Sequence, residues 1–328
     1  MLIKFLRSSF ASQYVALVFM ALMLWFPAFL HPEIPAQPDA FSPVYNVLFP
    51  FLSASPLIAT IIAFLLVIVQ AFYFNAILAS NQLIGRVASA GAFVFVLLFS
   101  LSPAQTTMYP LLLALPFILA SIHLFFNMFD EKNNETYIFN AAFQISLASL
   151  LYFPSIILFF WLFTSLFILR ITSLREWIIP FVGLITPYFF LATLYFMMNV
   201  LFAKAAAYAS LPSMISFDLK WPGITSLVLL ALIIVIAVQS FQIVSSPGVD
   251  RNIAIRKKKA IMNALFFISL LMNVYQMKSI EQNALYLVPF AVYISFSYMV
   301  VKKYFWPQLF LLLLIFLSLF NHFLMFLK

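Results

Sequence analysis

Long apolar runs separated by brief polar breaks organise this chain. No Asp, Glu, Lys or Arg occurs in residues 8–32, 40–85, 87–129, 136–169, 177–203, 221–249, 260–277, 282–301 or 304–327. A helix that crosses a bilayer needs about 20 mostly apolar residues. The run 87–129 therefore holds two, parted near Ser102-Pro103-Ala104-Gln105-Thr106-Thr107. The run 40–85 holds one, near 53–79, after a segment with Pro43 and Pro50 that suits a membrane interface.

The run 136–169 reads either as one long helix or as a hairpin turning at Tyr152-Phe153-Pro154-Ser155. Basic residues collect on the cytoplasmic side of membrane proteins, and this bias separates the two. With a hairpin, one side carries 13 Lys and Arg and the other four; with a single helix the division is 8 against 9. The hairpin is preferred, with short arms whose turn is enclosed by protein below the far surface. The predicted spans are 9–30, 53–79, 88–102, 109–127, 138–152, 154–170, 177–202, 223–244, 260–276, 284–301 and 305–326. The fold class is thus all-α: a polytopic membrane bundle of about eleven helices with a short hairpin at 138–170. The N-terminus lies in, the C-terminus out, and residues 1–328 form a single transmembrane domain.

Composition agrees. Of 328 residues, 66% are hydrophobic and 8% charged, against roughly a quarter charged in a soluble domain. The net charge of +8 belongs to cytoplasmic loops and not to nucleic-acid binding. Lys4 and Arg7 precede an apolar run to Leu30 that is longer than a signal-peptide core, so an uncleaved first span is expected. With five Gly and no GxxxG, close small-residue helix crossings are not expected. The absence of Cys removes disulfides, thiolate metal sites and cysteine nucleophiles.

Candidate chemistry is sparse. The loop His31-Pro-Glu33-Ile-Pro-Ala-Gln-Pro-Asp39 sets two carboxylates on a stiff turn beside the membrane, where a general base would sit. Asn81, Arg86, Arg170 and Arg175 fall at short basic turns, and Arg pairs in bidentate fashion with phosphate, so they are the candidate lipid-phosphate contacts. Arg251, Arg256 and Lys257–Lys259 form the densest basic run, read as a topology determinant with anionic-lipid contact second. Gln70, Asn75, Asn140, Gln144, Gln239, Gln242, Asn263, Asn273 and Gln276 lie within spans, and hydrogen bonding between helices explains them by default. No metal site or cofactor is predicted. His123 and His322 are the titratable residues nearest bilayer depth, and three His in the chain cannot supply four imidazole ligands.

Asn81–Arg86, Tyr152–Ser155, Ser173-Leu174-Arg175-Glu176-Trp177 and Pro187-Tyr188-Phe189-Phe190 resemble a family of uncharacterised polytopic inner-membrane proteins from Bacteroidetes. The resemblance covers most of the chain and implies a similar span number and the cell inner membrane. Some members carry an automatic carotene-oxygenase label, which the three histidines here do not support. The resemblance implies no activity. The leading expectation is a scaffold or accessory subunit in cell-envelope biogenesis, with membrane lipids and other envelope membrane proteins as partners. The first alternative is an enzyme on lipid-linked sugars, broadly like polytopic glycosyltransferases that carry an acidic residue after the first span, with Glu33 and Asp39 catalytic. The second is a lipid or small-molecule transporter, which the missing mid-span carboxylates disfavour.

Overall fold

Helices account for nearly all of the computed structural model, which describes residues 2–7, 12–37, 41–84, 88–128, 134–209, 224–245, 253–275, 282–301 and 305–324. In chain order they are α1 (Leu2–Arg7), α2 (Ser12–Leu30), α3 (Pro43–Ala54), α4 (Pro56–Ser80), α5 (Ala90–Leu98), α6 (Pro110–Asn127) and α7 (Asn134–Leu151). Then follow α8 (Leu158–Leu169), α9 (Leu174–Met197), α10 (Leu201–Ala209), α11 (Ile224–Val244), α12 (Ile253–Tyr275), α13 (Leu287–Val300) and α14 (Phe305–Leu324). Short 3-10 turns occupy Pro103–Thr106 and Phe153–Ile157. Among the described residues there is no strand. Six helices (α2, α4, α6, α9, α11 and α14) are long and apolar enough to cross a membrane, which makes this an all-helical multi-pass membrane protein.

Two short helices form the axis. Every side chain of α5 is buried, and so are those of α13 from Leu287 to Tyr298 except Phe290. A helix apolar on all sides belongs inside other helices, and α5 packs on α13, with α4 against the first and α11 against the second. Proline divides the segment before α4: Pro56 starts α4, and Pro43 starts a separate α3.

Hydrogen bonds gather the helix termini into two ends. At one, the Arg7 guanidinium donates to the carbonyls of Tyr298 and Val301 as α13 finishes. Three consecutive residues of α12 bond at the ends of three other helices, the outer two of them to backbone carbonyls. Lys257 Nζ donates to Leu169 O at the end of α8 (3.2 Å), Lys258 Nζ to Asn81 Oδ1 just past α4 (2.8 Å), and Lys259 Nζ to Val244 O at the end of α11 (2.8 Å). The last carbonyls of a helix lack internal partners and carry its negative dipole end, so a cation there serves both needs. Lys258 and Lys259 are 6% and 8% exposed, and their amines also lie over the rings of Phe126 and Phe296. At these two positions the basic run turns inward to bond protein groups, and not outward to lipid phosphate. At the far end, Ala36 N–H donates to Met108 O, Phe153 N–H to Ser42 Oγ, Tyr208 OH to Phe41 O and Thr225 Oγ1 to Asn321 Oδ1.

The segment 138–170 reverses direction. The start of α7 and the start of α9 meet through the Glu135–Arg175 ion pair (2.9 Å), while the intervening turn touches Ser42 at the far end. α9 then lies along α7 at close range. A methyl group on Gly183 would come within 2.7 Å of Phe139 O and 2.8 Å of Ala142 Cβ. Here the expectation of no close small-residue crossing fails: one Gly facing one Ala brings two backbones together without a GxxxG repeat. Ser146 Oγ donates to Leu184 O and Ser149 Oγ pairs with Tyr188 OH across the same seam.

Replacing Lys258 by Met keeps the stem and removes the donor to Asn81. The buried amide oxygen then lacks its partner, and a loss of about 1–3 kcal/mol is expected, read as a lower thermal midpoint in detergent.

Candidate functional site

A cavity of about 650 Å³ opens at the far end, lined by the last turn of α2, the loop to Glu33, the Pro103–Thr107 segment and the C-terminal turn of α14. The loop leaves α2 because Pro32 disfavours helical backbone at His31, whose N–H closes the helix on Pro27 O. Beyond Glu33 it is tied down twice, by Ala36 N–H on Met108 O (2.9 Å) and by Tyr45 OH on Ala36 O (2.8 Å). His31 and Glu33 are both exposed and line this cavity.

The floor begins where α5 stops. Its terminal segment is fully buried, so the carbonyls there need partners from the protein. Trp25 Nε1 donates to Ser100 Oγ (2.8 Å), Ser318 Oγ to Ser100 O (3.2 Å), and His322 Nε2 lies 2.9 Å from the same carbonyl. A carbonyl only accepts, so Nε2 carries a proton and donates. His322 is buried in the bundle yet lines the cavity. Gln105 Oε1 accepts from Leu101 N–H, while Thr106 and Thr107 hydroxyls donate to Pro103 O and Ala104 O. Gln282 Nε2 secures the segment by donating to Ala104 O (3.0 Å) and to Thr107 Oγ1 (3.4 Å). The cavity therefore joins one carboxylate, two imidazoles and two hydroxyls from three separated parts of the chain. Among the described residues no three His, Asp or Glu side chains gather closely enough to hold a metal ion.

The other predicted residues lie elsewhere. Asp39 and Arg86 fall outside the described residues. Asn81 is buried, its oxygen accepting from Lys258 and its Nδ2 donating to Ile77 O (2.8 Å), so its amide serves the fold from within. Arg170 is exposed and ends α8 in a left-handed conformation with φ 63°, while exposed Arg175 pairs with Glu135. Asn81 and Arg170 adjoin the α12 lysine run, and Glu33 sits at the opposite end. Sequence reasoning treated His322 as packing and Thr106-Thr107 as a turn. The usable signal was a polar cluster between two apolar runs, too long for a tight turn.

Fold and site together define a multi-pass helical membrane protein with a polar cavity at one end. No protein-family model matches the chain, and no curated protein or solved structure matches it either.

His322→Phe removes the donor to Ser100 O and leaves Ser318 alone on that carbonyl. A loss of about 1 kcal/mol is expected from thermal unfolding. His322→Gln, which keeps a donor at that reach, should recover most of it.

Proposed function

We propose that the chain crosses the cell inner membrane eleven times, with its lysine-capped end in the cytoplasm and its Glu33 cavity outside. In this reading α2, α4 to α9 and α11 to α14 are the crossings. The support is the placement of Arg7, Arg170, Arg175 and Lys257–Lys259 at one end, as the positive-inside bias requires. Because the chain contains no Cys, single introduced cysteines test it cleanly. Arg175→Cys should react with a membrane-impermeant maleimide only from the cytoplasmic side, and Ile34→Cys only from outside. The reverse pattern would invert the assignment.

The function best supported is envelope biogenesis, through an enzyme that works on the polar head of a lipid-linked sugar at the outer face. The cavity carries this reading, because it places exposed Glu33 beside His31, His322 and two threonine oxygens at the mouth of a membrane bundle. Glu33 would accept the proton of an acceptor hydroxyl as its oxygen attacks the sugar carbon. The bond from that carbon to the lipid phosphate breaks, and the phosphate leaves as an anion. Glu33→Gln is expected to lose at least a hundredfold in rate and to fail to complement a deletion strain, while remaining inserted and folded. Full complementation by Glu33→Gln together with Asp39→Asn would end this reading.

A scaffold or accessory role is the second reading, and α9 favours it. Only 17% of its apolar window is buried, against 33–61% in the other five long apolar helices. Its outward face, including Phe181, Ile185 and Phe189, is open to lipid or to a partner helix. Transport has less support, because Gln70 and Asn75 bond backbone groups of neighbouring segments and offer no continuous polar path.

A further inference from the structure

A second cavity, of about 670 Å³, lies between α11 and α12 with α13 as its floor. Its walls are almost wholly apolar: Ile234, Val238 and Phe241 from α11, Phe267 from α12, Pro289 and Phe290 from α13. Ile234, Val238, Phe241 and Phe267 are each between 45% and 64% exposed, so the groove opens sideways toward lipid. Two polar groups stand toward its lysine-capped end. Tyr293 OH lies 2.5 Å from Asn263 Oδ1 and 3.1 Å from Lys259 O, and both Tyr293 and Asn263 line the groove. The second amide atom of half-buried Asn263 has no hydrogen-bond partner among the described residues. In hydrocarbon such a group costs several kcal/mol unless something answers it.

Length identifies the occupant. On α11 the groove runs from Leu230 to Phe241, about 16 Å along the axis at 1.5 Å per residue. That is roughly half of a 30 Å hydrocarbon core, the depth of one leaflet, whereas a partner helix would need the whole thickness. On α12, Arg256 precedes Asn263 by two helical turns on the same face, and it is exposed. The order from the membrane surface inward is therefore cation, then amide, then apolar slot. An anionic glycerophospholipid has the same order of phosphate, ester and chain.

We propose that this groove is a binding site for an anionic glycerophospholipid of the leaflet at the lysine-capped end. One acyl chain fills the slot, an ester group answers Asn263, and the phosphate meets Arg256. The site uses none of the residues of the Glu33 cavity and stands independently of what that cavity does.

Native mass spectrometry of the purified full chain, equilibrated with vesicles of equal parts phosphatidylglycerol and phosphatidylcholine, tests it. The parent protein should retain phosphatidylglycerol in preference. Ala237→Phe, which fills the slot, should abolish that adduct. Arg256→Gln, at an exposed position that leaves the fold intact, should keep lipid but lower the preference for phosphatidylglycerol roughly fivefold. Unchanged preference in Arg256→Gln overturns the proposal even if Ala237→Phe fails to fold. So does unchanged retention in a folded Ala237→Phe protein, or a dimer that the same change splits into monomers.

Discussion

A buried cation at the end of a helix is the interaction on which this bundle depends. Inside a bilayer no water satisfies the last carbonyls of a helix, and each end must find a donor or reach the surface. Lys257 and Lys259 meet this need for α8 and α11 from one turn of α12, Arg7 meets it for α13, and Lys258 between the two lysines holds the Asn81 side chain just past α4. Successive residues on a helix point about 100° apart, so three lysines in a row reach three different neighbours. The run therefore ties α12 to the ends of α8 and α11 and to the segment just past α4. Each amine has a carbonyl or amide oxygen within reach, and those of Lys258 and Lys259 also lie over ring faces.

Much of the fold was legible because its solvent is simple. Charge-free intervals place helices well: 109–127 against Pro110–Asn127, and 284–301 against Leu287–Val300. The turn at Pro154 was legible because counting Lys and Arg on the two sides favours a hairpin over 136–169, and the chain does turn there through Phe153–Ile157. What charge counting cannot report is depth. Lys258 looks the same in sequence whether it faces water or Asn81. The close seam at Gly183 was hidden because one Gly against one Ala leaves no repeat to detect.

The candidate site was half legible. Glu33 stands out as an acid on a proline-rich loop between apolar runs. Its companions do not, because His322 and Thr106 belong to segments remote in sequence, and only the packing of α14 against α2 brings them near. His322 also has a structural duty to Ser100, which disguises any second role as ordinary capping. Asn263 shows the opposite case. It was read as one more interhelical amide, yet among the described residues only its oxygen has a partner.

The shortness of α5 has an electrical meaning. Nine residues span about 14 Å, less than half of a 30 Å hydrocarbon core, and the irregular stretch from Ser100 to Tyr109 fills the remaining depth. The polar cavity opens above that stretch, with Thr106, Thr107 and His322 in its lining. In the proposed orientation a polar inlet at this depth would concentrate a membrane potential across the protein beneath it, so that His322 and Thr106 would sit in a stronger field than the surrounding lipid.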